Sequence, residues 1–229
     1  MSRLGVITGL AREAECFRAI PNQRSLLVRC AGGNSERADE IARKLVADGC
    51  TGLASFGIAG GLQPGLCPGA LLIAGSVICP DNSRIKTDTA WRQKLTGVLE
   101  RDLSLVDSDL CGCDQAVLLS AQKRRLHDQT AAVAVDMESH AVARVAAELS
   151  VPFIAIRAIA DPVDRDVPRW VTEVIGADGR PRAGAVIAGL IRRPFDVPAL
   201  MRLGADTEKA IASLRRVALT AGPLLQLSA

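Results

Sequence analysis

Tyrosine is absent from this 229-residue chain, and all aromatics together make up only 3% of it. Stacking platforms for single-stranded nucleic acid are therefore missing. The 28 basic residues against 25 acidic ones leave a net charge of only +3, with no long lysine/arginine run. That excludes the electrostatic footprint of a nucleic-acid binder. The seven cysteines contain no C-x-x-C pair, and only His127 and His140 accompany them, so no metal site is expected. Cys111 and Cys113 are the one close pair, and most of the thiols read as small buried hydrophobes. No apolar stretch reaches the length of a membrane span, and the run at residues 4–11 is cut off by Arg12, Glu13 and Glu15 before it can serve as a secretion signal. The expected compartment is the cytoplasm.

What is present is an ordinary globular composition, 48% hydrophobic and 23% charged, enough for one α/β domain with a sizeable core. Residues 4–8 and 26–30 read as strands, the second closed by Ala31-Gly32-Gly33-Asn34. The next helix carries Ala38, Ile41, Ala42, Leu45 and Val46 on one face, with Asn34 as its cap and Gly49 at its end. Further strands are expected at 53–56, 71–78, 116–119, 131–135 and 153–159, with a helix over 139–149 and a C-terminal helical segment at about 184–222. Strands alternating with helices imply a single three-layer α/β/α domain around a twisted, mainly parallel sheet. Residues 164–184, rich in Pro, Gly and charge, read as a long mobile loop and a candidate lid.

Two carboxylates stand at the ends of apolar runs. Glu138 follows Val135-Asp136-Met137 at a strand-to-helix transition, near backbone N–H groups not yet engaged in the helix. Asp161 ends the run 153–159 just before Pro162. Arg157 interrupts that run, and a buried arginine needs an anionic partner, from protein or ligand. Taken singly, Glu138 can be a helix cap and Asp161 a turn opener; together with Arg157 they favour a ligand site. Gly32-Gly33 and Gly57-Ile58-Ala59-Gly60-Gly61 each follow a strand, either as tight turns or as loops whose N–H groups approach a phosphate or ribose.

The order of VDMESHAVARVA (residues 135–146) and VPFIAIRAIAD (151–161) resembles the signature half of the purine nucleoside phosphorylase and methylthioadenosine/S-adenosylhomocysteine nucleosidase family. Gly57-Ile58-Ala59-Gly60-Gly61-Leu62 is similar to the family's G-S/T-A-G-G-L segment, with Ile58 in place of the hydroxyl residue. The opening 5–14 is similar to its first strand and loop, placing the family's catalytic acid at Glu13. The resemblance covers roughly residues 4–190 and implies a nucleoside phosphorylase-like fold and cleavage of an N-ribosidic bond. It implies that Asp161 protonates the leaving purine, that Glu138 accepts the ribose hydroxyls beside Asp136, and that Met137 packs on the sugar. Glu13 and Arg157 would hold the nucleophile, while Ile58, Ala59 and Gly60 would wall the ribose. No cofactor is implied. The nucleophile is water or inorganic phosphate, and Arg12, Gly9 and Gly33 are the candidate phosphate donors.

Within the family, the opening T-G-L-x-x-E-A, the shortened stretch 80–89 and the tail 192–200 resemble the hopanoid-biosynthesis phosphorylase branch. That resemblance implies adenosylhopane as substrate, a large apolar 5′ group, and a homodimer that contacts the inner membrane face through basic and apolar residues near 191–203. The alternatives are a methylthioadenosine/S-adenosylhomocysteine nucleosidase or a nucleoside-binding sensor without turnover. The expected aromatic purine platform is replaced by Ser120-Ala121-Gln122-Lys123.

Overall fold

A computed structural model of the chain describes residues 3–18, 20, 25–100, 103 and 105–221. Its centre is a mixed sheet built mainly from parallel pairs. β1 (Arg3–Thr8) lies between β2 (Leu26–Cys30) and β3 (Cys50–Gly61), parallel to both. β3 is also parallel to β10 (Phe153–Asp161), and its last residues, Gly60 and Gly61, pair antiparallel with β9 (Ala134–Asp136). The sheet therefore forks at β3. From β9 it continues through β8 (Leu110–Gly112) and β5 (Ser76–Ile78) to β6 (Arg84–Lys86). From β10 it continues through β4 (Leu71–Ile73) to β7 (Leu105–Val106).

Period-two alternation along β10 sorts the core. Ile154, Ile156, Ala158 and Ala160 face one side, in a cluster with Trp91, Leu95, Leu99, Ile211, Leu214 and Val217 from α3 (Thr89–Leu99) and α8 (Val197–Ala221). Phe153, Ala155 and Ile159 face the other, with Ala38, Ala42, Leu45, Val142 and Val145 from α2 (Ser35–Ala47) and α5 (Ser139–Glu148). The helices thus cover both faces, as the three-layer reading expected. Asn34 caps α2 by accepting the Arg37 N–H at 2.8 Å.

Four expectations differ. The glycine-rich segment 57–61 is no loop: it is the second half of β3, paired with β10 from Gly57–Arg157 to Gly60–Asp161. Residues 71–78 form two strands, because the chain changes neighbours at Ala74-Gly75, whose N–H groups donate to Ala155 and Ser108. Residues 116–119 form no strand. β8 and β9 already pair directly, so the chain after β8 leaves the sheet and reaches α4 (Ser120–Thr130) along the sheet's end. Residues 164–184 are organised, not a bare loop. They hold α6 (Trp170–Glu173), a bridge between Ile175 and Pro181, and the start of α7 (Ala183–Arg192).

Apolar anchors explain that order, since Val167, Trp170 and Val174 are buried. The segment is tied down at several points. Ala11 N donates to Gly179 O at 3.2 Å, Val167 N to Leu118 O at 2.9 Å, and Arg37 to Ala177 O. Trp170 Nε1 donates to Asp196 at 2.8 Å in the turn Pro194–Asp196, ahead of α8. Gly222, the end of the expected helical segment, lies outside the described residues. Residues 80–89 close as a hairpin of β5 and β6, with Asn82 at φ 63°.

Phe56 is fully buried at the middle of β3, edge-on to Phe17 with ring centroids 4.7 Å apart. Phe56→Ala is expected to cost about 3–5 kcal/mol, because a cavity adds to the lost transfer energy. Urea unfolding measures it, and a loss below about 1 kcal/mol would mean the layer is loosely packed there.

Candidate active site

The ends of β3, β9 and β10 meet on one side of the sheet, where strand-end residues have run out of ladder partners. A cleft of about 200 Å³ opens there, walled by Ile58, Ala59 and Gly60 of β3, with Glu13, Met137, Glu138 and Asp161 exposed to it. Gly9, Leu10 and Gly33 border it from the N-terminal side, and Val167, Thr172 and Ile175 of the pinned segment roof it. Among the described residues no group of three or more His, Cys, Asp or Glu side chains forms a metal-binding set.

Glu13 sits on α1 (Ala11–Glu15) and is almost wholly buried. Its Oε2 accepts the N–H groups of Gly9 and Leu10, both at 2.8 Å, and its Oε1 accepts the Ile58 N–H at 2.8 Å. Burial pushes its carboxyl above the usual range, while those backbone donors and Arg157 pull it back. Glu138 stands at the N-cap of α5, and its carbonyl accepts the Ala141 and Val142 N–H groups at 3.1 Å. Its carboxylate does not cap the helix. That work falls to Asp136, whose Oδ2 accepts the Ser139 N–H at 3.1 Å. The Glu138 carboxyl instead lines the cleft and is pushed up to about 8, first by burial, then by the nearby Asp136 charge, against the pull of Arg157 and the Met137 backbone N–H.

Arg157 resolves the partner question raised by the sequence. It is 1% exposed and donates from Nε to Asp136 Oδ2 at 2.9 Å, from Nη2 to Ser55 Oγ at 2.6 Å and Ser139 Oγ at 2.9 Å, and from Nη1 to Ile156 O at 2.8 Å. Nη2 also meets Asp136 Oδ2. Its partner is protein, and it lies beneath the cleft wall, not facing a nucleophile as expected. Asp136 Oδ1 is buried with no hydrogen-bond partner, an acceptor left over at the cleft's edge.

Asp161 ends β10 and is held by a residue whose importance the sequence hid. Lys123 of α4 has a side chain with no exposure and places Nζ 2.6 Å from Asp161 Oδ2. Burial raises the Asp161 carboxyl above the usual range, and Lys123 opposes the rise. Lys123 thus stands where an aromatic platform was sought. The cleft's face beside Asp161 is made by Ala116, Val117 and Leu118.

Glycines shape the three acids' surroundings. A Cβ on Gly9 would stand 2.6 Å from Glu138 Oε1, one on Gly57 would stand 2.8 Å from the Glu13 carboxylate, and one on Gly60 would stand 3.3 Å from Asp161 Oδ2. These residues make room for carboxylates instead of cradling an anion. Two of the three expected phosphate donors are otherwise engaged: Arg12 forks onto Glu208 of α8 at 2.6 and 2.8 Å at the surface, and the Gly9 N–H is spent on Glu13. Gly33, at φ 70°, borders the cleft near Glu138.

A raised Glu138 carboxyl makes the fold pH-sensitive. Unfolded, the group titrates near its ordinary value of 4.5; folded, it holds its proton to about 8. The unfolded chain therefore binds fewer protons between those values, and stability falls as pH rises through that window. Glu13 and Asp161 shift in the same direction. Thermal unfolding midpoints across the window should decline, and Glu138→Gln should flatten part of the decline. An unchanged slope in that variant would contradict the assignment.

Residues 17–192 match the profile described as Phosphorylase superfamily. The chain is 26% identical to a 5′-methylthioadenosine/S-adenosylhomocysteine nucleosidase of Mycobacterium bovis, covering 67% of this chain and 78% of that protein. In fold it is similar to futalosine hydrolase of Helicobacter pylori, with a TM-score of 0.72 at 18% identity over 94% of this chain and 95% of that one. It is also similar to a Helicobacter pylori 5′-methylthioadenosine/S-adenosylhomocysteine nucleosidase, with a TM-score of 0.68 at 17% identity over 95% and 98% of the two chains.

Proposed function

This chain belongs to the phosphorylase superfamily, and on that premise we propose that it is a nucleosidase that cleaves the N-ribosidic bond of an adenine nucleoside with water. Such a bond breaks through a ribosyl cation-like state and a purine anion, so an acid is needed at the base and negative charge near the sugar. Asp161, raised by burial, gives its proton to purine N7. Glu138 accepts the ribose hydroxyls, whose donation favours its charged form over the protonated one. Met137 packs on the sugar. Glu13 orders and deprotonates the water, and Asp136 Oδ1 accepts a hydrogen bond from a remaining hydroxyl or from the water. Arg157 is a positioning residue: it holds Asp136 and lowers the cost of crowding Glu13 and Glu138.

The observation that carries water over phosphate is where the donors point. A dianion needs cations and N–H groups, yet Arg12 is committed to Glu208, Arg157 to Asp136, and the N–H groups of Gly9 and Ile58 to Glu13. The residues lining the cleft include four carboxyl groups, Glu13, Asp136, Glu138 and Asp161, and no lysine or arginine, so no cation faces a dianion there. The relatives' names support the same reading.

For the 5′ group the proposal is a large apolar substituent, adenosylhopane by the branch resemblance. Residues 80–89 form only a tight hairpin, and an apolar ridge lies on α7, the turn after it and the start of α8. There Ile187, Ile191, Phe195 and Met201 are exposed, Phe195 at 95%, beside Arg192, Arg193 and Arg202. Such a face suits an anionic lipid surface. The second reading is a small soluble thioether nucleoside, favoured by the names of the curated relatives.

Asp161→Asn should lower kcat for adenine release by about 10²–10⁴-fold with KM little changed, since an amide binds N7 but gives no proton. Adenine release by the unaltered enzyme should be indifferent to added phosphate. Release that requires phosphate would make the enzyme a phosphorylase, and near-normal turnover by the variant would remove Asp161 from its role.

Sedimentation with anionic liposomes tests the ridge. Binding should be weak and salt-sensitive, because each basic residue contributes only about 1 kcal/mol near such a surface. Arg192→Glu/Arg193→Glu should abolish it. A protein that stays in the supernatant at low salt has no such surface role, and preference for methylthioadenosine over an adenosyl-lipid would establish the second reading.

A further inference from the structure

Lys123 is a buried charge that the proposed reaction has not used. It lies in the first turns of α4, where a lysine ordinarily keeps its ammonium in water, yet its side chain is fully enclosed. Such burial is tolerated only with close partners. Its Nζ donates to Pro162 O at 3.1 Å and Arg165 O at 2.9 Å, in addition to Asp161 Oδ2 at 2.6 Å. Asp161 O, at 3.4 Å, is a fourth oxygen within reach, so each of the three N–H bonds of the ammonium has an acceptor. Asp161 is its one carboxylate partner among the described ion pairs.

We propose that Lys123 is the positioning residue of the purine acid: its ammonium grips Asp161 by one oxygen, fixes the carboxyl at the end of β10 against the cleft, and stabilises the carboxylate that proton donation leaves behind. This rests on the proposed nucleosidase reading. As the ribose–N9 bond breaks, its electron pair passes into the purine ring. The Asp161 O–H proton moves to N7, and Asp161 becomes an anion beside a cation that is already in place. A fixed charge aimed at developing charge needs no rearrangement at the moment of reaction. Burial alone would hold the proton on Asp161 too tightly, and Lys123 opposes that tendency.

Among the described ion pairs, none of the other charged groups around Asp161 reaches its carboxyl. Asp164, Arg165 and Asp166 follow it in the chain, and Arg202 and Asp206 of α8 line the same chamber, about 310 Å³, behind it. Arg165 pairs with Asp206, as does Lys209 of α8, and Asp166 Oδ1 accepts the Ser120 N–H at 2.6 Å. Glu13, Asp136 and Glu138 stand across the cleft. Lys123 is the cation committed to the acid.

The test is the pH dependence of kcat and KM for adenine release from methylthioadenosine or adenosine by the unaltered enzyme, Lys123→Arg, Lys123→Gln and Lys123→Met. With Asp161 as acid, activity falls as pH rises through its titration. The Gln and Met variants should lose about 10²-fold in kcat with KM nearly unchanged, and their alkaline limb should move up by about one pH unit. Arg should keep the limb. Thermal unfolding identifies which variants are folded. A folded Gln or Met variant whose limb stays in place, or whose loss lies in KM, overturns the proposal, as does the failure of both to fold, which would make Lys123 structural. Absence of adenine release by the unaltered enzyme would instead overturn the nucleosidase reading itself.

Discussion

The site depends on one guanidinium that has no access to water. Arg157 lies on β10 with its side chain on the α5 face, among apolar neighbours that offer it nothing. Its charge is tolerated because three other elements bring oxygen to it: Ser55 from β3, Asp136 from β9 and Ser139 from α5. Removing one member of such a buried pair typically costs about 3–5 kcal/mol, because the survivor is left charged and dry. The pair therefore fixes where three strands end relative to each other, and the cleft lies at those ends. The same cation lowers the cost of the neighbouring Glu13 and Glu138. Structure and chemistry share one electrostatic centre.

Above that centre the acids are differentiated by their surroundings. Glu13 accepts three backbone N–H groups, which oppose the rise that burial causes. Glu138 has only the Met137 backbone N–H and the pull of Arg157 against burial and the Asp136 charge, and its carboxyl holds its proton to about 8. Asp161 has a cation of its own on the far side. Three carboxyl groups of nearly the same intrinsic acidity thereby acquire three dispositions, set by who donates to them.

Much of this was legible in the sequence, for physical reasons. Strand-end carboxylates at 138 and 161, and an arginine inside an apolar strand, are costly arrangements that announce a need for partners. The layered fold followed from short apolar runs such as 153–159 alternating along the chain with segments of helical spacing such as 139–149. The glycine-rich stretch 57–61 was misread as a loop because glycine is usually a breaker; here it is strand residue and spacer at once, and only the three-dimensional approach of Glu13 and Asp161 reveals why. Residues 116–119 have strand-like composition, but composition does not say that β8 and β9 leave them no edge. Lys123 was invisible for the opposite reason: a lysine on an otherwise polar helix reads as solvated, and its burial depends on Asp161, Pro162 and Arg165, some 40 residues away in the chain.

The facing of each acid by a glycine has an evolutionary corollary. At positions 9, 57 and 60 the feature that matters is an absent methyl group, whose space the side chain opposite occupies. A drift to alanine there would leave every ionisable group in the sequence intact while displacing the acid it faces. Relatives that have lost turnover should therefore be sought among chains whose acids are complete and whose glycines are not.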